Sequence, residues 1–416
     1  MEVKLILVGL ILLLSAAYYW IVRSKKQVPK QSYLGAFDYS VKPHMAIEDF
    51  TIYIPPISTV TFYTDLPIKN IYDRTKQIID ANPWLASRIK SGVNGFELHY
   101  NQHNNHYNYI SEHEIEDEMS FNPIQLLRFS RVKLGIECQD QDLPLFDINI
   151  VKMKENTGLI ITMNHVLGDG DTYFKIYKMF DDKIPITKMS LERIKGVPEQ
   201  VDHVFGMRKD MTGLWLDYRY WWRDRFPRNL PVKIFRVSRE AINQQKQSES
   251  NKDGEKFLST NDILTSWIFN SCHTCFGIAM VNLRGKLDIE IPENAAGNYF
   301  TSLNYTKRDF ILPGQIRRSV TKRNGVYIKD TPTPFPPIWS VFSSNSNLTD
   351  VSNWTGFYHH LVIQGNEPVY HCPLAESTSP DSKIIIFKPT PNDVFLHAFG
   401  LVEEEVLASG LVVELE

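Results

Sequence analysis

The chain has 416 residues, of which 43% are hydrophobic and 12% aromatic. That content supports a sizeable packed core and excludes disorder over most of the length. Its 45 basic residues against 48 acidic ones give a formal charge of −3, without the basic excess of a nucleic-acid binder. Its four cysteines are too few for a disulfide framework.

The run from Leu5 to Val22 is apolar and long enough to span a bilayer core. Tyr18, Tyr19 and Trp20 sit at one end of it, and Arg23, Lys25, Lys26 and Lys30 follow. The positive-inside bias then predicts a single-pass anchor with the rest of the chain in the cytosol. The rival is a cleaved signal peptide ending at Ser15-Ala16-Ala17, which would make the protein secreted or lumenal. Sequons at Asn304, Asn347 and Asn353 would suit the rival.

Thr59 to Tyr63 reads as a strand. After Pro67, a helix is predicted with Ile68, Ile71, Thr75, Ile78 and Ile79 on one face, ending near Asn82-Pro83. His103 and His106 lie in a polar run without a third metal ligand and read as a solvated hairpin. Phe146 to Met153 alternates as a strand does, and Gly158 to Met163 reads as a buried strand. Thr172 to Phe180 is predicted helical, with Asp171 or Thr172 as its N-cap.

Leu214, Tyr218, Trp221, Trp222 and Arg225 form an aromatic stripe at helical spacing, read as packing rather than membrane contact. Residues 246–255 are polar and read as a solvent loop. A helix capped near Thr260-Asn261-Asp262 follows. Cys272 and Cys275 make a lone CxxC that cannot complete a zinc site, so no metal is expected. Residues 279–291 and 383–388 read as strands. Alternating strands and helices predict an α/β fold.

The chemistry concentrates in Asn164-His165-Val166-Leu167-Gly168-Asp169-Gly170. It follows a buried strand and precedes a helix, so His165 leaves the sheet at a loop, where an imidazole can serve as general base. Asp169-Gly170 is read as a tight turn that uses glycine's tolerance of positive φ.

The H-x-x-x-D-G spacing resembles the active-site signature of the CoA-dependent acyltransferase superfamily, which includes chloramphenicol acetyltransferase, condensation domains and BAHD acyltransferases. Residues 78–89 (IIDANPWLASRI), Pro144-Leu145-Phe146, Ser259 to Leu264, Asn282-Leu283-Arg284, Gly297-Asn298 and Ser352-Asn353-Trp354 are similar to further BAHD elements, in family order. Two departures mark a divergent member. Asn164 stands where related motifs carry a second His, and Ile363 to Pro368 replaces the D-F-G-W-G segment.

The resemblance implies two similar chloramphenicol-acetyltransferase-like halves with a tunnel between them. Residues 1–30 would be the anchor and its basic flank, 31–195 the N-terminal half, 196–235 a crossover and 236–416 the C-terminal half. It further implies transfer of an acyl group from acyl-CoA, a co-substrate, to a hydroxyl or amine of a small-molecule acceptor; the anchor and the aromatic content point to a lipophilic acceptor and to the endoplasmic reticulum, and a monomer is expected. His165 would be the base, with Ser352 and Trp354 as oxyanion donors. Asp169, Gly170 and Arg284 would hold the loop, and Ser259 and Thr260 would contact CoA phosphates or cap their helix. The alternatives are a non-catalytic scaffold of the same fold and a carrier-protein-dependent condensation enzyme.

Overall fold

The computed structural model describes residues 39–41, 51–92, 95–101, 108–115, 123–205, 230–253, 257–323, 326–327, 347–375, 381–401 and 403–414. The predicted anchor, the His103/His106 run and the aromatic stripe at 214–225 lie outside the described residues. No helix among the described residues is long and apolar enough to cross a membrane.

The strands, in chain order, begin with β1 (Tyr39–Val41), β2 (Ile57–Tyr63), β3 (Arg88–Gly92), β4 (Gly95–Tyr100) and β5 (Ile110–Glu114). Next come β6 (Phe146–Lys152), β7 (Thr157–Met163), β8 (Val232–Val237), β9 (Phe276–Asn282) and β10 (Phe300–Tyr305). The last are β11 (Lys322–Arg323), β12 (Val326–Tyr327), β13 (Leu348–Asn353), β14 (Tyr370–Pro373), β15 (Ser382–Phe387), β16 (Phe395–Phe399) and β17 (Val412–Glu414). Five strands form one sheet in the order β14-β2-β7-β6-β5, and seven form another in the order β10-β9-β13-β15-β16-β8-β17. This is the α/β architecture expected. The halves also exchange a strand. β14 is late in the sequence, yet it pairs antiparallel with β2, with Tyr370 opposite Phe62.

Helix α1 (Ile68–Ala81) buries Ile71, Thr75, Ile78 and Ile79 of the predicted stripe, and Ile68 at its start is partly buried. Asn82 closes it as C-cap: its amide donates back to Ile78 O (3.2 Å) and across to Thr187 O (3.0 Å), and its Oδ1 accepts from Met189 N (2.8 Å). Helix α2 (Gly170–Lys178) lies against β2. β2 is buried along its whole length although it carries Ser58, Thr59 and Thr61. Buried hydroxyls must be hydrogen-bonded, and these meet Thr162, Tyr173 and Tyr177 at 2.8, 2.7 and 2.8 Å. Tyr173 and Tyr177 are four residues apart, so one face of α2 supplies both phenols.

Two predicted elements differ. The polar run at 246–255 belongs largely to a helix, α3 (Arg239–Asp253). Gln, Glu and Lys are strong helix formers, and Ile242, buried at 2% exposure, fixes the helix to the core. The strand read over 279–291 runs instead from Phe276 to Asn282, and a turn from Leu283 to Lys286 that contains Gly285 (φ 71°) follows it. Helix α4 (Thr260–Ser271) precedes that strand. Cys272, buried, closes α4, and Cys275 is exposed.

Two large apolar cores form, one mostly from residues 52–191 but including Ala296, Leu361 and Ile363, the other from residues 197–412. A third cluster joins the two sheets: Val60, Phe62 and Ile160 from the first meet Ile385, Phe387 and Phe395 from the second. His371 on β14 and His397 on β16 are 4% and 0% exposed. Burial lowers their pKa values to about 3 and about 4. The unfolded imidazoles therefore bind protons between pH 6.5 and 4 that the folded ones refuse. Stability is full above about pH 6.5 and falls as pH drops toward the folded values. We expect a loss of about 2 kcal/mol per histidine by pH 5. Urea midpoints measured at pH 7.5 and pH 5 check this, and equal midpoints would contradict it.

Candidate active site

β7 delivers the chain into the loop that carries Asn164 and His165. Asn164 is fully buried. Its amide donates to Lys133 O at 2.7 Å and accepts from Val166 N at 3.0 Å. The residue that departs from the two-His motif is thus a loop brace.

His165 turns the other way and lines a cavity of about 450 Å³. The wall comes from both halves: Pro56, Thr162 and His165 from one, Met280, Phe300 and Ile385 from the other. The size suits a small-molecule site. Asn298 orients the imidazole. Its Oδ1 lies 3.0 Å from His165 Nδ1, and its Nδ2 donates to His165 O at 2.9 Å. With an amide oxygen facing it, Nδ1 carries the proton and Nε2 keeps its lone pair. Burial is the main force on the ring's basicity. It lowers the pKa to about 4 against the opposing pull of Asp169 and the Asn298 hydrogen bond. The ring is therefore neutral at pH 7.

Asp169, not Asp171 or Thr172, is the N-cap of α2, accepting from Thr172 N at 3.0 Å. Its other oxygen accepts from Arg284 Nη1 at 2.7 Å and Tyr299 N at 2.9 Å. Arg284 also makes an ion contact with Asp171 at 3.0 Å and lies over the Tyr299 ring, 5.0 Å from its centroid. Asp169 and Arg284 come from different halves, so this pair fastens the His165 loop to the segment that carries Asn298. Thr172 Oγ1 adds to the fastening, donating to Gly297 O at 3.0 Å and accepting from Gly297 N at 3.2 Å.

The glycines of the motif serve by small size rather than by positive φ, correcting the tight-turn expectation. A Cβ on Gly168 would meet Thr172 Cβ at 2.6 Å, and one on Gly170 would meet the Phe357 ring at 3.3 Å. Neither has positive φ, whereas Gly297 does (φ 135°).

Ser352 and Trp354 line the same cavity as His165. Trp354 Nε1 donates to Ser352 Oγ at 2.9 Å, which leaves the Ser352 hydroxyl hydrogen for another acceptor. Ser259 and Thr260 do not line the cavity. Ser259 caps α4 in a reciprocal pair with Asp262 (2.7 and 3.2 Å), and Thr260 Oγ1 accepts from Lys246 Nζ at 3.0 Å. Asn353, beside them, does line the cavity and holds the start of α4 through Asn261 at 2.7 Å.

Asn298 is the functional residue that reading the sequence left without a role, although Gly297-Asn298 was among the similar elements. Only the fold brings it to His165, 133 positions away. Asn298→Ala is expected to lower kcat about tenfold or more with KM little changed, because the ring loses its orienting acceptor. Rescue by Asn298→Asp but not by Asn298→Leu would mark a positioning role, and no rescue would refute it.

The molecule is thus a two-lobed α/β protein with a histidine-bearing cavity between the lobes. No protein-family model and no curated protein matches the chain. Solved structures do match. It shares its fold with F. graminearum TRI101 complexed with ethyl coenzyme A, at TM-score 0.64 and 13% identity, over 90% of this chain and 100% of that one. Vinorine synthase matches at TM-score 0.57 and 14% identity, over 91% and 93% of the two chains. The first condensation domain of the CDA synthetase matches at 0.52 and 8%, over 86% and 88%.

Proposed function

We propose that the chain is an acyl-CoA-dependent acyltransferase that modifies a hydroxyl or amine of a small lipophilic acceptor. The observation that carries this reading is the neutral, Asn298-oriented His165, facing a cavity built by both halves. Structures of the same fold solved with coenzyme A support it, as does the motif resemblance.

Nε2 of His165 takes the acceptor's proton while the freed oxygen or nitrogen attacks the thioester carbonyl. Charge develops on the carbonyl oxygen, where a preorganised donor lowers the barrier. Ser352 supplies that donor, with its oxygen already polarised by the Trp354 indole N–H. Collapse of the tetrahedral intermediate expels the CoA thiolate, which recovers the proton from His165. Asp169 and Arg284 touch no reacting atom in this scheme and act by fixing the loop.

The apolar run Leu5–Val22 supports membrane attachment with the catalytic part in the cytosol. Two of the three sequons give little support to a lumenal site, because Asn347 Nδ2 and Asn353 Nδ2 already donate to Cys272 O and Asn261 Oδ1.

The test is thiol release by the full chain with a panel of acyl-CoAs and alcohol or amine acceptors, together with CoA binding. Acceptor-dependent release and affinity sensitive to the 3′-phosphate are expected. No binding at millimolar CoA would favour the non-catalytic scaffold instead.

A further inference from the structure

Asp350 on β13 and Lys383 on β15 are direct partners in the parallel register. Partners across a strand pair share a face of the sheet, and both of these side chains line the cavity that holds His165. The Lys383 ammonium is near enough to disfavour protonation of both His165 and His397. Asp350 Oδ1 is buried and has no hydrogen-bond partner among the described residues. Burial pushes this carboxyl up, and Lys383 opposes that shift.

A buried carboxylate oxygen with no partner destabilises a fold, and among the described residues none hydrogen-bonds to this one. A buried polar group without a protein partner calls for an explanation, and in the wall of a cavity a ligand group is one that fits. Both residues are separate from the roles given above to His165, Ser352, Trp354 and the Asp169–Arg284 fastening.

We propose that Asp350 and Lys383 form a second recognition subsite of the cavity, for a neutral substrate group that donates one hydrogen bond and accepts another. The inference rests on the acyl-transfer reading and deepens it. The donated bond goes to the Asp350 carboxylate and the accepted one comes from the Lys383 ammonium. Opposite charges on the two sides select a group that is itself uncharged and dipolar. Two sources have this chemistry: an amide of the pantetheine arm of CoA, and a second hydroxyl of the acceptor beside the one that is acylated.

The experiment compares full-length wild type with Asp350→Asn and Lys383→Met. It measures CoA affinity by calorimetry, and thiol release from acetyl-CoA with octan-1-ol and with octane-1,2-diol. A loss of CoA affinity of about tenfold in both variants supports the subsite and assigns it the pantetheine amide. Unchanged CoA affinity, with loss of a wild-type preference for the diol of about tenfold, supports the subsite and assigns it the acceptor. Both quantities staying within about twofold of wild type would overturn it.

Melting of the ligand-free protein gives a readout independent of turnover. Asp350→Asn is expected to melt at or above the wild-type temperature, since an amide is cheaper to bury than a carboxylate. A fall of about 5 °C or more would make Asp350 a structural residue and overturn the subsite. A wild type that neither binds CoA nor releases thiol would refute the acyl-transfer reading instead, and the melting comparison would still decide Asp350.

Discussion

His165→Ala is expected to lower kcat for acyl transfer by about 10²–10⁴-fold while the protein stays folded. The ring is the only general base proposed for the reaction, and among the described residues its side-chain hydrogen bond is the one at Nδ1. The substitution removes the pair between Nδ1 and Asn298 Oδ1, and Asn298 Nδ2 keeps its bond to the backbone oxygen of residue 165. Melting temperature and kcat should therefore part company. A purified variant that keeps more than about a tenth of wild-type kcat would reject His165 as the base.

The pH profile gives a second check on the same residue. Burial holds the His165 pKa at about 4 in the ligand-free protein. A lowered pKa means that the neutral, active form persists below the ordinary histidine range. The acid limb of kcat/KM, which reports the free enzyme, is expected nearer pH 4 than pH 6.5. An acid limb at 6.5 would mean that water reaches the ring freely. The stability losses at His371 and His397 overlap this window, so rates below pH 5.5 require short assays from a neutral stock.

The His165 loop was legible in the sequence because its signal is local. A buried strand, the spacing from His165 to Asp169-Gly170 and an amphipathic helix follow one another within a short stretch. The placement of Arg284, Ser352 and Trp354 was legible only through resemblance, since nothing in their own neighbourhoods points to His165. What the sequence hid is what long-range pairing creates. Asn298 shows no periodic or charge signal, and its role depends on Gly297 being tied to Thr172. β14 has no reading in the sequence at all, and only its pairing with β2 reveals the exchange. The N-cap assignment slipped because Asp169, Asp171 and Thr172 all have side chains that can cap. The structure chooses Asp169, whose carboxylate also meets Arg284. Helix α3 was missed for the opposite reason. Its residues favour helix by propensity, but they offer almost no apolar stripe to announce it.

Breaking the Asp169–Arg284 pair is expected to cost about 3–5 kcal/mol of stability. Both side chains are largely buried, at 6% and 10% exposure. Arg284→Met leaves the carboxylate with its bonds from Thr172 N and Tyr299 N but without its counter-charge. Asp169→Asn keeps the shape yet turns one acceptor into a donor, facing either Arg284 and Tyr299 N or Thr172 N. A charge swap is a poor test here, because an arginine at 169 can neither cap α2 nor accept from Tyr299 N. It is expected to fail even though the pair is direct. A double-mutant cycle with Asp169→Asn, Arg284→Met and the double variant isolates the pair instead. The double variant should be more stable than the sum of the single losses predicts, with coupling of about 2–3 kcal/mol by urea unfolding. Additive losses would mean that Arg284 acts mainly through Asp171 and the Tyr299 ring. The single variants should also lose activity in proportion to disorder of the His165 loop, so substrate protection of the melting temperature should weaken together with kcat. A variant that is destabilised yet fully active would break the link between this fastening and catalysis.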